Sequence, residues 1–409
     1  MKSKLLIIVP IIFLIVLFTS HRASSSPVTR WWRFQSIDTM KFSRDLSREK
    51  LNDPAFMATI DAQVKNIADL GATHVAIATP YDEEFYPMLE HWVAAARKYH
   101  LNVWFRGNFS GWEGWFNYSK ITREQHMSMT KSFILKHPDI FENGDIFTAC
   151  PECENGGPGD PRQTGDIDGF RQFMIDEYKV TKSAFHSIGK NVASNYDSMN
   201  GDVARAVMDH ATTAAMDGVV TIDHYVSTPE KLTSDIKAIS AESGGSIVLG
   251  EFGAPIPDIN GDMTDEQQKQ WVADAFSKLI STPELIGVNY WTNIGSTTSI
   301  WNDNGTARSV SEVIKTAYNP ENASGVISDE LGDGISNAYI IIGDKTYFTD
   351  KNGMFTVPIV GVSESARVEA DNYFGTTISV KPSGKQTITL KREKEDIIFK
   401  LRKFFLGIK

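Results

Sequence analysis

Ser246-Ile247-Val248-Leu249-Gly250-Glu251-Phe252-Gly253 holds the deciding pattern: a near-continuous apolar run that closes on a carboxylate. A strand that is apolar on both faces is buried on both, and such strands belong to parallel sheets covered by helices. A buried strand does not end in a glutamate unless that group has a partner or a task. Seven more runs of this kind alternate with longer amphipathic stretches between Arg30 and Tyr318. They are Phe34 to Asp38, Thr73 to Thr79, Asn102 to Arg106, Asp145 to Cys150, Asn191 to Asn195, Gly218 to Asp223 and Ile286 to Trp291. Eight β/α units predict an α/β fold, a (β/α)8 TIM barrel.

The stretches between the runs carry helix punctuation. Asp53 before Pro54 reads as an N-cap with proline at the first helical position, and Gly71 closes that helix. Thr264 with Gln267 reads as a capping box. No Gly-x-Gly-x-x-Gly follows the first run, which argues against an open dinucleotide-binding sheet.

Past Asn319-Pro320 the pattern changes to short alternating strands, Ala338 to Ile342, Thr346 to Thr349, Met354 to Pro358, Arg367 to Ala370 and Gln386 to Leu390. The division expected is therefore residues 1–26 as a signal peptide or anchor, 27–319 as the barrel, 320–391 as a small β-sandwich and 392–409 as a basic tail. The strings Gly325-Val326-Ile327-Ser328-Asp329, Thr349-Asp350-Lys351-Asn352-Gly353-Met354-Phe355 and Val368-Glu369-Ala370-Asp371-Asn372-Tyr373 resemble the carboxypeptidase regulatory-like, transthyretin-like sandwiches. In the tail, Ile397, Ile398, Leu401, Phe404, Phe405 and Ile408 fall largely on one helical face among Lys and Arg. A membrane surface, a docking face on its own protein or a partner, and a disordered tail are its three readings.

With 409 residues, 41% of them apolar, the chain can bury one large core and a second small one. A net charge of -10 offers no broad basic surface to a phosphate backbone, so nucleic acid is excluded as a partner. Lys2 and Lys4 precede an apolar run from Leu5 to Phe18 and a Ser-rich stretch, which predicts export. The run is shorter than the roughly 20 residues of a bilayer span, so a secreted product is favoured over a membrane-anchored one. Cys150 and Cys153 are the only cysteines; their spacing suits a local disulfide or two packed thiols better than a redox pair or half a zinc site.

Side chains at the carboxyl ends of barrel strands converge on one mouth. Glu251 stands there after the seventh strand. Cys150-Pro151-Glu152-Cys153-Glu154 follows the fourth, across the ring. Two carboxyl groups in different protonation states are what glycosidic cleavage needs, and a separation of roughly 5 to 5.5 Å permits direct attack with retention. Glu251 would be the ionised member. The donor would be the glutamate after strand four, its pKa raised by burial and neighbouring charge.

In these residues the chain resembles the clan A glycoside hydrolases, particularly the family 5 type that includes cellulases and mannanases. The resemblance maps that family's strand-four donor to Glu152 and its strand-seven nucleophile, in Glu251-Phe252-Gly253, to Glu251. Pro151 departs from the family asparagine, and Glu154 is an alternative donor; nearness to the strand end favours Glu152. Tyr225, in Ile222-Asp223-His224-Tyr225, inherits the hydroxyl that bonds the nucleophile, and Trp291 the platform under the sugar. Asp223 stands where the family has histidine, and His224 is a sugar contact by adjacency alone. Arg106 and Asn108 leave strand three toward the mouth, and an arginine near Glu251 would hold it charged. Trp112 and Trp115 read as stacking walls on a loop, and Tyr81, Asn195 and Tyr196 as sugar contacts at strand ends.

The implied activity is a retaining glycoside hydrolase acting on an extracellular carbohydrate, with no metal or organic cofactor. Its rivals are a glycan-binding barrel without turnover and a metal-dependent hydrolase using His224 and Asp223.

Overall fold

The computed structural model describes residues 30–360, 363–382, 384–394 and 397–406. The expected leader, residues 1–26, lies outside these, as does Ile408.

Eight parallel strands form one curled sheet: β1 (Phe34–Asp38), β2 (His74–Ile77), β3 (Asn102–Phe105), β4 (Ile146–Phe147), β5 (Ser198–Asn200), β6 (Val219–Asp223), β7 (Ser246–Phe252) and β8 (Leu285–Tyr290). Their order, β4-β3-β2-β1-β8-β7-β6-β5, follows the chain around a ring. The ring closes where β4 meets the segment before β5: Phe147 N–H donates to the Ala193 carbonyl at 2.8 Å, and Ala193 N–H to that of Asp145 at 3.0 Å. The fold is the expected barrel.

Strand five departs from the sequence reading. Asn191 to Asn195 makes only the Ala193 bridge, and regular pairing with β6 starts at Ser198. Asn195 and Tyr196 therefore lie before the strand, not at its carboxyl end.

The helices start as their capping residues require. Asp53 accepts from Ala55 N–H at 3.0 Å and opens Pro54–Asp69. Thr264 and Gln267 form a reciprocal capping box at Asp265–Ile280. Reciprocal capping satisfies N–H groups that the first helical turn leaves without partners.

Inside the barrel the lower layer is aromatic. Phe34, Trp104 and Tyr196 meet edge-on, with centroids 5.4 to 6.2 Å apart, and Ala76, Ile146, Val219 and Val248 fill the gaps. The Arg106 guanidinium stands 5.4 Å from the Trp104 ring, so a charged layer rests on an aromatic plug.

Beyond the barrel come β9 (Glu321–Ser328), β10 (Tyr339–Ile342), β11 (Lys345–Phe348), β12 (Met354–Ile359), β13 (Glu364–Glu369), β14 (Thr376–Val380) and β15 (Lys385–Thr389). They make a four-stranded sheet, β11-β10-β13-β14, and a three-stranded one, β12-β9-β15, around their own core that includes Ile327, Phe355, Val357 and Val368. β9 and β14 are absent from the strands read in the sequence. β14, Thr-Thr-Ile-Ser-Val, has only two apolar residues, and β9 is interrupted by Gly325. The tail forms a helix, Ile397–Leu406.

Candidate active site

Groups from five strands meet at one guanidinium, and Asn289 ties in a sixth. Arg106, just past β3, is fully buried, and its Nη1 donates to Asp38 Oδ2 at 2.8 Å, the Gly250 carbonyl at 2.9 Å and Glu251 Oε1 at 3.1 Å. Its Nη2 donates to Asp223 Oδ2 at 2.8 Å and Ser198 Oγ at 3.1 Å. Asn289 of β8 donates to Asp38 Oδ2 at 3.2 Å and to the Gly250 carbonyl at 2.8 Å. Burial alone would lower the Arg106 pKa; Asp223, Glu251 and Asp38 outweigh it and keep the group cationic. Gly250 is required by this packing, because a Cβ there would stand 2.3 Å from Asp223 Oδ1.

Glu251 is held from both sides. Arg106 contacts Oε1, and the Tyr225 hydroxyl donates to Oε2 at 2.7 Å. Burial pushes the Glu251 carboxyl up to about 7; Arg106 opposes that strongly, the Glu152 and Asp38 charges add to it, and the Tyr225 hydrogen bond lowers it. Asp223, wholly enclosed, is raised well above its ordinary value by burial, with Arg106 opposing and Glu251 and Glu152 adding. Asp223, Glu251 and Glu152 crowd one arginine, and burial with mutual repulsion raises the pKa of each.

Glu152 reaches the layer from the loop after β4. A disulfide joins Cys150 to Cys153, and Glu152 sits within that small ring at φ 47°, a left-handed conformation that costs an L residue about 1–2 kcal/mol. Its N–H donates to the Ser198 carbonyl at 2.7 Å, and its own carbonyl accepts from Asn155 N–H at 2.7 Å, so the ring is tied to β5. Burial raises the Glu152 pKa, the Glu154 charge adds to this, and Arg106 opposes it. The Glu152 charge is felt by Arg106, Asp223, Tyr225 and Glu251, which puts its carboxyl on the mouth side.

Glu154 turns elsewhere. It is 1% exposed, and its Oε1 accepts from Asn200 N–H at 2.7 Å and Asn200 Nδ2 at 2.9 Å. Of the two glutamates on this loop, Glu152 is the one that faces Glu251.

The rim carries aromatic rings and charges. Trp291, partly exposed, meets Tyr225 edge-on at 5.9 Å, and Lys41 Nζ lies 5.6 Å from its ring. Trp115 stacks with the Arg44 guanidinium at 4.6 Å. Glu113 lies against Gly156 of the loop that carries Glu152, its pKa raised to about 7 by burial, with Arg44 opposing and Glu152 adding.

Several residues expected to touch sugar do other work. Trp112 is fully buried, stacks on Phe173 at 5.3 Å and donates its indole N–H to the Cys153 carbonyl at 3.0 Å; it supports the Glu152 loop from below. Tyr81 is buried with its hydroxyl donating to the Thr148 carbonyl. Asn108 is enclosed, accepting from Phe109 N–H and bonded to His126. Tyr196 belongs to the aromatic plug and Asn195 bonds the Met216 carbonyl, both consequences of the late start of β5. His224 points outward to Asp235, 2.9 Å away, and leans on Gly201, so it does not join Asp223 in the mouth. Arg106 positions other groups and is too enclosed to meet substrate directly.

The sequence reading passed over Asp38, Ser198, Asn289 and Glu113. Asp38 carried the same signal as Glu251, an acid closing an apolar strand. Glu113 carried none, lying between two aromatic residues on a loop.

No family model matches the chain, and no curated protein matches it in sequence. Among solved structures it is similar to a GH5_18 variant from Streptomyces cattleya in complex with Manb1-4GlcNAc, with 14% identity, 72% of this chain and 84% of that one covered, and a TM-score of 0.51. A GH5_18 variant from Bifidobacterium longum, also in complex with Manb1-4GlcNAc, is similar at 12% identity, 72% and 81% coverage and a TM-score of 0.51. A β-glucuronidase from Bacteroides uniformis matches at 10% identity and a TM-score of 0.46; the chain covers 44% of its length. At these identities the likeness to the two GH5_18 structures is one of fold.

Proposed function

We propose that the chain is a retaining glycoside hydrolase, exported and acting on an extracellular carbohydrate, with Glu251 as nucleophile and Glu152 as acid and base. One observation carries this reading: the buried Glu251 and the half-buried Glu152, from opposite sides of the barrel, share a mouth, and only Glu251 is in contact with both Arg106 and the Tyr225 hydroxyl. Both contacts favour its ionised form. Glu152 has no ion pair among the described residues and lies beside the Glu154 charge, so it takes the proton.

In the first step the Glu251 carboxylate attacks the anomeric carbon while Glu152 gives its proton to the departing glycosidic oxygen. The glycosyl ester on Glu251 is then cleaved by a water whose proton Glu152, now ionised, accepts. Trp291 supplies a flat face for the sugar ring, and Trp115 with Arg44 a second face farther out. The shared barrel with the GH5_18 structures supports the reading at the level of architecture.

The test is hydrolysis of a panel of aryl glycosides and polysaccharides by the wild type, Glu152→Gln and Glu251→Gln, with the anomer released followed by proton NMR. Loss of turnover in both variants and initial release of the starting anomer are expected. Undiminished hydrolysis in either variant would refute the assignment, and an inverted product would refute the double displacement. Wild type that binds glycans without cleaving any would leave only a binding barrel.

A further inference from the structure

The helix Ile397–Leu406 takes no part in the chemistry above, yet it holds six exposed large apolar side chains, Ile397, Ile398, Leu401, Phe404, Phe405 and Leu406, from 52% to 81% exposed. At helical spacing all but Leu406 fall on one side. Much of the opposite side is occupied. Phe399 is buried beneath the Arg392 guanidinium, 4.5 Å away, Arg402 pairs with Asp333 at 2.7 Å and Lys403 with Glu330 at 3.3 Å. The helix is thus fastened to the β-rich end of the chain with its apolar side facing out.

Charge identifies the occupant. The ten residues include Lys400, Arg402 and Lys403 and no acid, on a chain whose net charge is -10. Arg402 and Lys403 are held by Asp333 and Glu330, but Lys400, beside the apolar stripe, has no ion pair among the described residues, and its long side chain can reach head groups while rings and aliphatic chains enter the acyl boundary. A two-fold contact through this stripe would bring the Lys400 of each copy toward the other. Anionic lipid supplies the opposite charge.

We infer that this helix docks the protein on an anionic membrane surface, lying in the interface plane. It is ten residues long and does not span; among the described residues no helix is long and apolar enough to cross a membrane.

The full chain carrying Leu401→Cys tests this. Both native cysteines are buried in a disulfide, so an environment-sensitive fluorophore can be placed at position 401 alone. With phosphatidylglycerol-containing vesicles the label should shift to the blue and be quenched by spin-labelled lipid. Binding should weaken about tenfold or more on adding Ile398→Ser and Phe405→Ser, with unchanged melting temperature, and should weaken in high salt. An unshifted label on vesicle-bound protein would overturn the inference, since the chain would then be held by another segment. An equal response to phosphatidylcholine vesicles would overturn the anionic requirement. A shift that grows with protein concentration without lipid would assign the face to a second copy.

Discussion

Replacing Tyr225 by phenylalanine removes one oxygen and leaves the ring against Trp291. The lost contact is the 2.7 Å hydrogen bond to Glu251 Oε2. A hydrogen bond to a charged group is worth about 1.5–3 kcal/mol, and one pKa unit corresponds to about 1.4 kcal/mol. The bond favours the ionised form, so its removal raises the Glu251 pKa further above the value of about 7 set mainly by burial, by about one to two units. A nucleophile must be ionised, so the acid limb of kcat/KM against pH should move to higher pH by that amount. At pH values below the limb the rate should fall by about ten- to a hundredfold. The assay is a pH-rate profile on an aryl glycoside that the wild type hydrolyses, with melting curves to confirm the fold. An acid limb that stays in place while the rate falls uniformly would refute the reasoning, because the hydroxyl would then act on the transition state and not on Glu251 ionisation.

Other expectations follow from the same geometry. Glu152→Gln should lower turnover by about 10²–10⁴-fold, while Glu154→Gln, which keeps an oxygen toward Asn200, should cost far less; steady-state kinetics on both decides. Trp112→Ala should destabilise the fold by about 3–5 kcal/mol in denaturant titration, whereas Trp115→Ala should leave stability nearly unchanged and raise KM. Asp197 is held protonated by burial, with its pKa raised to about 8 and the Glu177 charge adding. A raised carboxyl contributes stability at acid pH that is lost as pH climbs from about 4 toward 8. Asp197→Asn should therefore raise the melting temperature more at pH 8 than at pH 5, and an equal change at both would count against a buried proton.

The barrel was legible because its strands are buried on both faces and read as unbroken apolar runs; β1 and β7 fell within a residue of their observed limits. Strand five was misread because Asn191 to Asn195 has strand-like composition but spends it on a single bridge. That error carried Asn195 and Tyr196 to the wrong end of the barrel. Glu251, Glu152 and Tyr225 were visible from their places at strand ends. Trp112 was not, since a loop tryptophan that packs downward and one that faces solvent look alike until the partner, here Phe173 from a helix sixty residues on, is known. His224 and Asp223 are adjacent in sequence, and the alternation of a strand sends them to opposite sides.

Arg106 binds groups contributed by β1, β5, β6 and β7 while projecting from β3, and Asn289 ties in β8. A reaction centre laced through so much of the ring has no local way to come apart. Heating should erase catalysis and barrel circular dichroism along one curve, with no temperature interval in which an intact protein has gone silent.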